Sequence, residues 1–410
     1  MSSYLTSAGD TYSSISGAFY GDASGASRIR QANPSADNPP VPGTLLIIPE
    51  RLRPQKNSQR ADIPGDEVTL RVAEEQFRYW TQVSITRSVD AVDTIHLLAP
   101  FPESVEFRRM MEPLSYRPIE VQVGGETLFF GTMLSVKPQS NAGTTVEVSG
   151  YSTCGVLVDC TPLPSMAPLN YLDRTLPQIA AELAEPYGVG TVSQVAGGFP
   201  AIERFRIAPD QKIVEALTPL AKQQSVLISS NPEGELLFRD SPSPGPPVVF
   251  LDQGSPPLIR ADLSTDPQAY FSDVTGVRKA RRNFRGGKYT VQNDTLRSYG
   301  VLRHVTQVVE DVSSGELPAA TQSRVGRMLA ASVTVTAQVA TWRDATGSLW
   351  EPGSTVSLVY PDAMVYSPYE FILDQVTFEA NPEKSTASLS LVLPGAYSGS
   401  MPEEMPWHVR

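Results

Sequence analysis

Catalysis needs acids, bases and nucleophiles brought together, and this chain offers few at short spacing. Its three histidines are His96, His304 and His408. None stands in a His-Glu-x-x-His, His-x-His or His-x₃-His setting, so local spacing supplies no metal site. The two cysteines, Cys154 and Cys160, lack the partners of a zinc site and are too few for a disulfide framework. Cys154 lies in an apolar, strand-like run and reads as a small core residue rather than a nucleophile paired with His304. No Gly-x-Ser-x-Gly elbow occurs. The 44 acids supply many carboxylate pairs, and nothing singles one out for glycoside cleavage. The expectation is a chain that is not an enzyme and carries no metal or cofactor.

Charge is more informative. Between residues 278 and 288, six of eleven positions are cationic: Arg278, Lys279, Arg281, Arg282, Arg285 and Lys288. The whole chain carries −11, which disfavours general nucleic-acid binding. Three readings of the cluster stay open: a solvated loop with ion pairs, a contact with an acidic surface of a neighbouring subunit, or a track for phosphates. Gly287-Lys288 is no phosphate loop, because Tyr289 stands where a Ser or Thr would hold magnesium.

These residues need elements to hold them. Proline, at 36 residues, is about 9 % of the chain against a usual ~5 %, which argues for short elements and many turns. No apolar run reaches the ~18 residues of a membrane span, and Met1-Ser2-Ser3-Tyr4 opens no Sec signal, so the expected compartment is a cytoplasm. Residues 1–50 read as a βααβ unit, with Gly9 at a turn, Asp10 or Thr11 as helix cap, Ile15 and Phe19 on one face, and Pro42-Gly43 before a last strand. Residues 51–66 read as a cationic linker. Residues 67–165 alternate in short strands, with a hairpin at Gly124-Gly125. Residues 166–245 hold two helical stripes, Leu176–Tyr187 and Ile213–Ala221, and a hairpin turning at Asn231–Gly234. Pro219 is expected to kink or shorten the second helix. Residues 246–317 are a mixed β segment with the basic loop, 318–398 a second β domain that opens with a helix, and 399–410 a tail. The fold class is α+β, mainly β: a βααβ module followed by two small β-barrel domains flanking an α/β segment.

The order Gly9-Asp10-Thr11, Phe19-Tyr20-Gly21-Asp22, Asn33-Pro34 and Pro42-Gly43-Thr44-Leu45-Leu46-Ile47-Ile48-Pro49 resembles a LysM domain. That resemblance implies glycan-binding loops at Gly9, Asp10, Thr11 and Tyr12 and at Asn33, Pro34, Pro42 and Gly43; the same residues also serve as turns and caps. Further along, Val68-Thr69-Leu70-Arg71-Val72, Trp80 to Ser88, Val121-Gln122-Val123-Gly124-Gly125, Gly150 to Cys160, Trp342-Arg343 and Leu349-Trp350-Glu351-Pro352-Gly353 resemble the baseplate hub proteins of contractile phage tails, of the phage Mu type. The resemblance implies a virion protein assembled in the host cytoplasm, a homotrimeric ring joining a hexameric tail tube to a trimeric central spike. Implied partners are its own copies, the tube protein or an adaptor, the spike, wedge or sheath-initiator proteins, and the tape measure protein. The LysM would clamp neighbouring baseplate proteins or touch peptidoglycan. The alternative function is a LysM-targeted cell-wall hydrolase or tail lysin.

Overall fold

The computed structural model describes residues 2–20, 26–33, 36–37, 39–48, 67–73, 75–100, 104–141, 143–278, 286–309, 317–399 and 404–408. The linker 51–66, Pro34, and Lys279, Arg281, Arg282 and Arg285 of the basic cluster lie outside the described residues. The chain divides into two compact units, Met1–Ser58 and Gln59–Arg410.

In the first unit the order is strand, helix, helix, strand. Strands Ser2–Leu5 and Leu45–Ile48 pair antiparallel, Leu5 opposite Leu45. The helices Tyr12–Tyr20 and Ala26–Ala32 bring Tyr12, Ile15 and Ile29 onto Leu46 and Ile48 to form a small core. Thr11 caps the first helix: its hydroxyl accepts from the Ser14 N–H at 3.0 Å, satisfying a donor the helix cannot.

In the second unit, the β segments read separately from the sequence share one 13-stranded sheet. Each half nevertheless has its own lobe, and the two lobes have the same strand order. The first lobe places its strands in the spatial order Val68–Val72, Pro118–Val123, Glu126–Asn141, Gly143–Ser152, Thr94–Pro100, Gln82–Ser88. The second places Val249–Asp252, Thr355–Tyr360, Val365–Ala380, Ser385–Val392, Val333–Val339, Leu258–Thr265. The thirteenth strand, the two-residue Glu75–Gln76, is an addition beside Val68–Val72; with it set aside and the rest numbered along the chain, both lobes run first, fourth, fifth, sixth, third, second. The long fifth strand has 16 residues in each lobe, and each is irregular midway, between Met133 and Ser135 or between Leu373 and Gln375. The lobes differ at the first strand, which pairs antiparallel in one and parallel in the other.

Two corrections to the segment reading follow. Strands Val249–Asp252 and Leu258–Thr265 belong to the second lobe rather than to a separate mixed segment. Among the described residues the first lobe does not close on itself through hydrogen bonds: Gln82–Ser88 spends its other edge on Gln375–Ala380 of the second lobe. The irregularity at Asp374 makes this possible. Before it, one edge of Val365–Ala380 serves Thr355–Tyr360; beyond it, Gln82–Ser88 is paired. The Val89 N–H donates to the Asp374 carbonyl at 3.0 Å, at the changeover.

The α/β segment has its own core on helices Leu176–Ala184 and Ile213–Gln223. The second helix continues past Pro219 to Gln223, so that proline does not end it. A further three-stranded sheet, Asp273–Arg278 at the centre of Gly287–Gln292 and His304–Val308, packs one face on helix Leu317–Ala331.

Candidate functional site

Strand Gln82–Ser88 alternates, with Val83, Ile85 and Arg87 facing inward. The alternation therefore drives an arginine into a position meant for an apolar side chain, where an unpaired charge would be very costly. Its partners come from far along the chain. Arg87 Nε lies 3.2 Å from Asp93 Oδ2, and its Nη2 lies 3.1 Å from Glu351 Oε2. The other oxygen of Glu351 takes Arg239 Nη2 at 2.7 Å, and Arg239 Nη1 donates to the Pro352 carbonyl at 2.6 Å. The Asp93 N–H donates to the Ser230 hydroxyl at 2.7 Å. Both lobes and the α/β segment thus meet in one charged junction.

Burial is uneven there. Arg87 and Asp93 are almost wholly covered, while the Glu351 side chain is 48 % exposed. Burial pushes the Asp93 carboxyl up to about 7, against the pull of Arg87. Burial also works against the Arg87 charge, but Glu351 and Asp93 outweigh it and hold that guanidinium above its ordinary value. The cost of the dry site therefore falls on the Asp93 carboxylate. Asp93 Oδ1, Arg239 Nε and Ser229 Oγ have no partner among the described residues. Cys154 adjoins this region, with Sγ 3.4 Å from Ser152 Oγ; burial pushes its thiol up to about 12. It is an inert core group, while His304 lies on an exposed face, 3.0 Å from Thr275 Oγ1.

The N-terminal loop residues divide into two sets. Thr6 joins the loops after the first strand and before the second: its N–H donates to the Thr44 carbonyl and its carbonyl accepts from Gly43. That brings Gly9, Asp10 and Thr11 to the same end of the strand pair as Pro42 and Gly43. Gly9 and Gly43 both take positive φ, as their turns require. Tyr12 and Asn33 are instead interior. The Tyr12 hydroxyl donates to the Asp37 carbonyl. The Asn33 amide donates to the Ile29 and Ile47 carbonyls and accepts from the Ile47 N–H, each at 2.7 Å. Asn33 is thus committed to the fold. In the basic cluster, Arg278 ends one strand of the three-stranded sheet, and Lys288 is exposed on the next.

The family described as "Baseplate hub protein gp44-like, second domain" matches residues 154–240. Baseplate hub protein gp44 of Escherichia phage Mu is 27 % identical over 338 residues, covering 78 % of this chain and 85 % of that protein. The chain thus carries a gp44-like hub domain and resembles a phage-tail baseplate hub protein over most of its length. Its fold is similar to the 43 kDa tail protein of prophage MuSo2 from Shewanella oneidensis, at 25 % identity and TM-score 0.67, covering 81 % of this chain and 99 % of that one. The tail protein from Neisseria meningitidis MC58 shares the fold at 22 % identity and TM-score 0.67, covering 82 % and 100 %. The place of this hub protein is the tail baseplate of a phage virion.

The matched hub domain supplies Ser230 and Arg239 to the junction, and the lobes on either side supply Arg87, Asp93 and Glu351. None of the five stands at a catalytic or metal-ligand spacing in the sequence. Two carried a usable signal. Arg87 holds an inward register position between Ile85 and the end of its strand, and Glu351 sits between Trp350 and the turn at Pro352-Gly353.

Proposed function

We propose that this hub protein is a structural ring of the contractile-tail baseplate, three copies joining a hexameric tail tube to the trimeric central spike. The observation that carries the reading is the repeated lobe. Two lobes of one strand order in each chain present six similar lobes in three copies, so a trimer matches a six-fold tube on one side and a three-fold spike on the other. The role needs no catalysis. In the junction, Arg87 pairs with Asp93 and Glu351, and Glu351 also with Arg239.

The N-terminal unit acts in this reading as a LysM-type clamp on surrounding wedge or sheath-initiator proteins. Its contact loops are Gly9, Asp10, Thr11, Pro42 and Gly43; Pro34 would extend them, and Tyr12 and Asn33 shape them from inside. The basic cluster, with Arg278 and Lys288 on strands, serves as a contact to acidic neighbouring protein. Imaging of the purified protein by negative stain tests the ring: three-fold particles are expected. Deleting residues 1–50 is expected to abort baseplate assembly, whereas normal baseplates with reduced infectivity would refute the clamp. A cleared band in a peptidoglycan zymogram would replace the structural reading with a hydrolase.

A further inference from the structure

The repeat leaves one pairing unmade. In the first lobe, the end strand Gln82–Ser88 lies against the long strand of the second lobe, beyond its irregularity, with Ser84 opposite Glu379 and Ser88 opposite Gln375. The second lobe has an equivalent end strand, Leu258–Thr265, whose outer edge pairs with no described strand. The first lobe has an equivalent long strand, Glu126–Asn141. Pro118–Val123 occupies one of its edges only as far as Thr132, so from Ser135 onward that edge pairs with no described strand.

The registers superpose without adjustment. Ser135 faces Ser149 as Gln375 faces Ser390, and His96 faces Ser149 as Thr336 faces Ser390. Ser84 faces His96 as Asp262 faces Thr336. Exposure differs between the lobes as a missing strand would make it differ. Val376 and Phe378 are wholly buried, whereas their equivalents Val136 and Pro138 are half-buried and exposed respectively. Ile85 is wholly buried, whereas its equivalent Leu263 is not.

We propose that strand Leu258–Thr265 of one copy pairs antiparallel with residues 135–139 of a second copy, Asp262 opposite Gln139, repeating between chains the contact that joins the lobes within one. The proposal rests on the trimeric reading and gives it a residue-level contact. The two surfaces differ, so the contact is head-to-tail, the kind that closes into a ring. An extended strand added to an open edge gains main-chain hydrogen bonds along its length. Lys137, exposed on its strand, falls diagonal to Asp262 across the new pair, and opposite charges so placed attract. Pro138 removes one donor from the edge.

A cross-strand disulfide in the full-length protein tests the register. In a Cys160→Ser background, which removes the partly exposed thiol, the double variant Asp262→Cys with Gln139→Cys is expected to form oxidised species that end at three chains on non-reducing gels, with neither single variant cross-linking. Asp262→Lys is expected to weaken self-association about tenfold, and adding Lys137→Asp to restore it, with the monomer's stability changed by no more than the small amount that exposed pairs such as Lys137–Glu147 and Arg260–Asp262 contribute. A wild-type trimer whose double-cysteine variant stays uncross-linked would overturn the pairing and leave the ring standing. Cross-linking of Asp262→Cys alone would overturn it in favour of a two-fold contact. A wild-type protein that is monomeric at every concentration, with no cross-link in the double variant, would overturn ring and pairing together.

Discussion

The two lobes share a strand order and part company between their second and third strands. In the first lobe the connection is residues 89–93. In the second it is residues 266–332, which carry the basic three-stranded sheet and the helix Leu317–Ala331. The short connection turns Asp93 inward onto Arg87, so its charge is answered within the molecule. The long one is rich in basic residues. Residues 273–308 hold eight Arg and Lys against two Asp. Of those two, Asp273 is buried against Arg297, which holds its carboxyl below the ordinary range. Lys288, Thr290 and His304 are exposed on that sheet. One position in a repeated scaffold thus holds, in one lobe, a short loop whose acid meets Arg87 and, in the other, a long basic insertion with Lys288 exposed.

Equivalent positions of the two lobes make this contrast measurable. Arg87 and Thr265 correspond in the repeat, one buried between two carboxylates and the other exposed at an open edge. Arg87→Ala strands Asp93 and half of Glu351 in the junction and is expected to cost about 3–5 kcal/mol at pH 8. Thr265→Ala is expected to stay within about 0.5 kcal/mol. Urea unfolding of both variants decides it. Equal losses would mean that the lobes do not use this position differently.

The pair Ile85 and Leu263 probes the covering strand itself. Ile85 is wholly buried under the second lobe, so Ile85→Ala is expected to lose about 2–5 kcal/mol from transfer and cavity together. Leu263→Ala, partly exposed in the single chain, is expected to lose clearly less under conditions that keep the protein monomeric. If the loss at Leu263 rises toward that at Ile85 when copies associate, the equivalence of the two contacts is sharpened.

A third measurement uses pH. Burial moves the Asp93 carboxyl from 3.8 to about 7, so the folded chain binds this proton more tightly than the unfolded chain. The stability it contributes is fully present below pH 3.8 and is lost as pH rises through about 7. Other carboxylates run the opposite way, Asp273 and Glu147 among them, held low by Arg297 and by His96. Asp93→Asn isolates the effect, because an amide does not titrate in this range. Across that window, wild type is expected to lose stability relative to the variant by at most about 1.4 kcal/mol per pH unit. Parallel stability curves would show that Asp93 is ionised throughout and that the junction is not strained.

Much of the scaffold was legible because its signals are local. Alternation located the strands around Val121 and Val335, Gly124-Gly125 located a hairpin, and periodic leucines located the helices at 176 and 213. The joining of the lobes was not legible. Nothing near residue 85 says that its neighbour is residue 378, since register between distant strands is set by which buried faces match. The junction escaped for a related reason. Arg87, Asp93, Arg239 and Glu351 are ordinary charges in sequence, and only folding makes them one group. The sequence did separate the basic cluster, because a run of cations within an acidic chain needs no tertiary structure to be seen.

The smallest expected effect is the one that most separates the lobes. Lys288 stands exposed on the second lobe's insertion. Lys288→Glu is therefore expected to leave the unfolding free energy within about 0.5 kcal/mol of wild type. If the basic sheet meets acidic protein in the assembled baseplate, the same substitution is expected to impair assembly, and the defect in a milder Lys288→Gln variant is expected to deepen as salt shortens the reach of the remaining charges. The junction, being buried, is expected to show little response to the same salt. A stability loss at Lys288 comparable to that at Arg87 would mean that the insertion's charges, too, are answered within the chain. The lobes would then differ in length of connection but not in use.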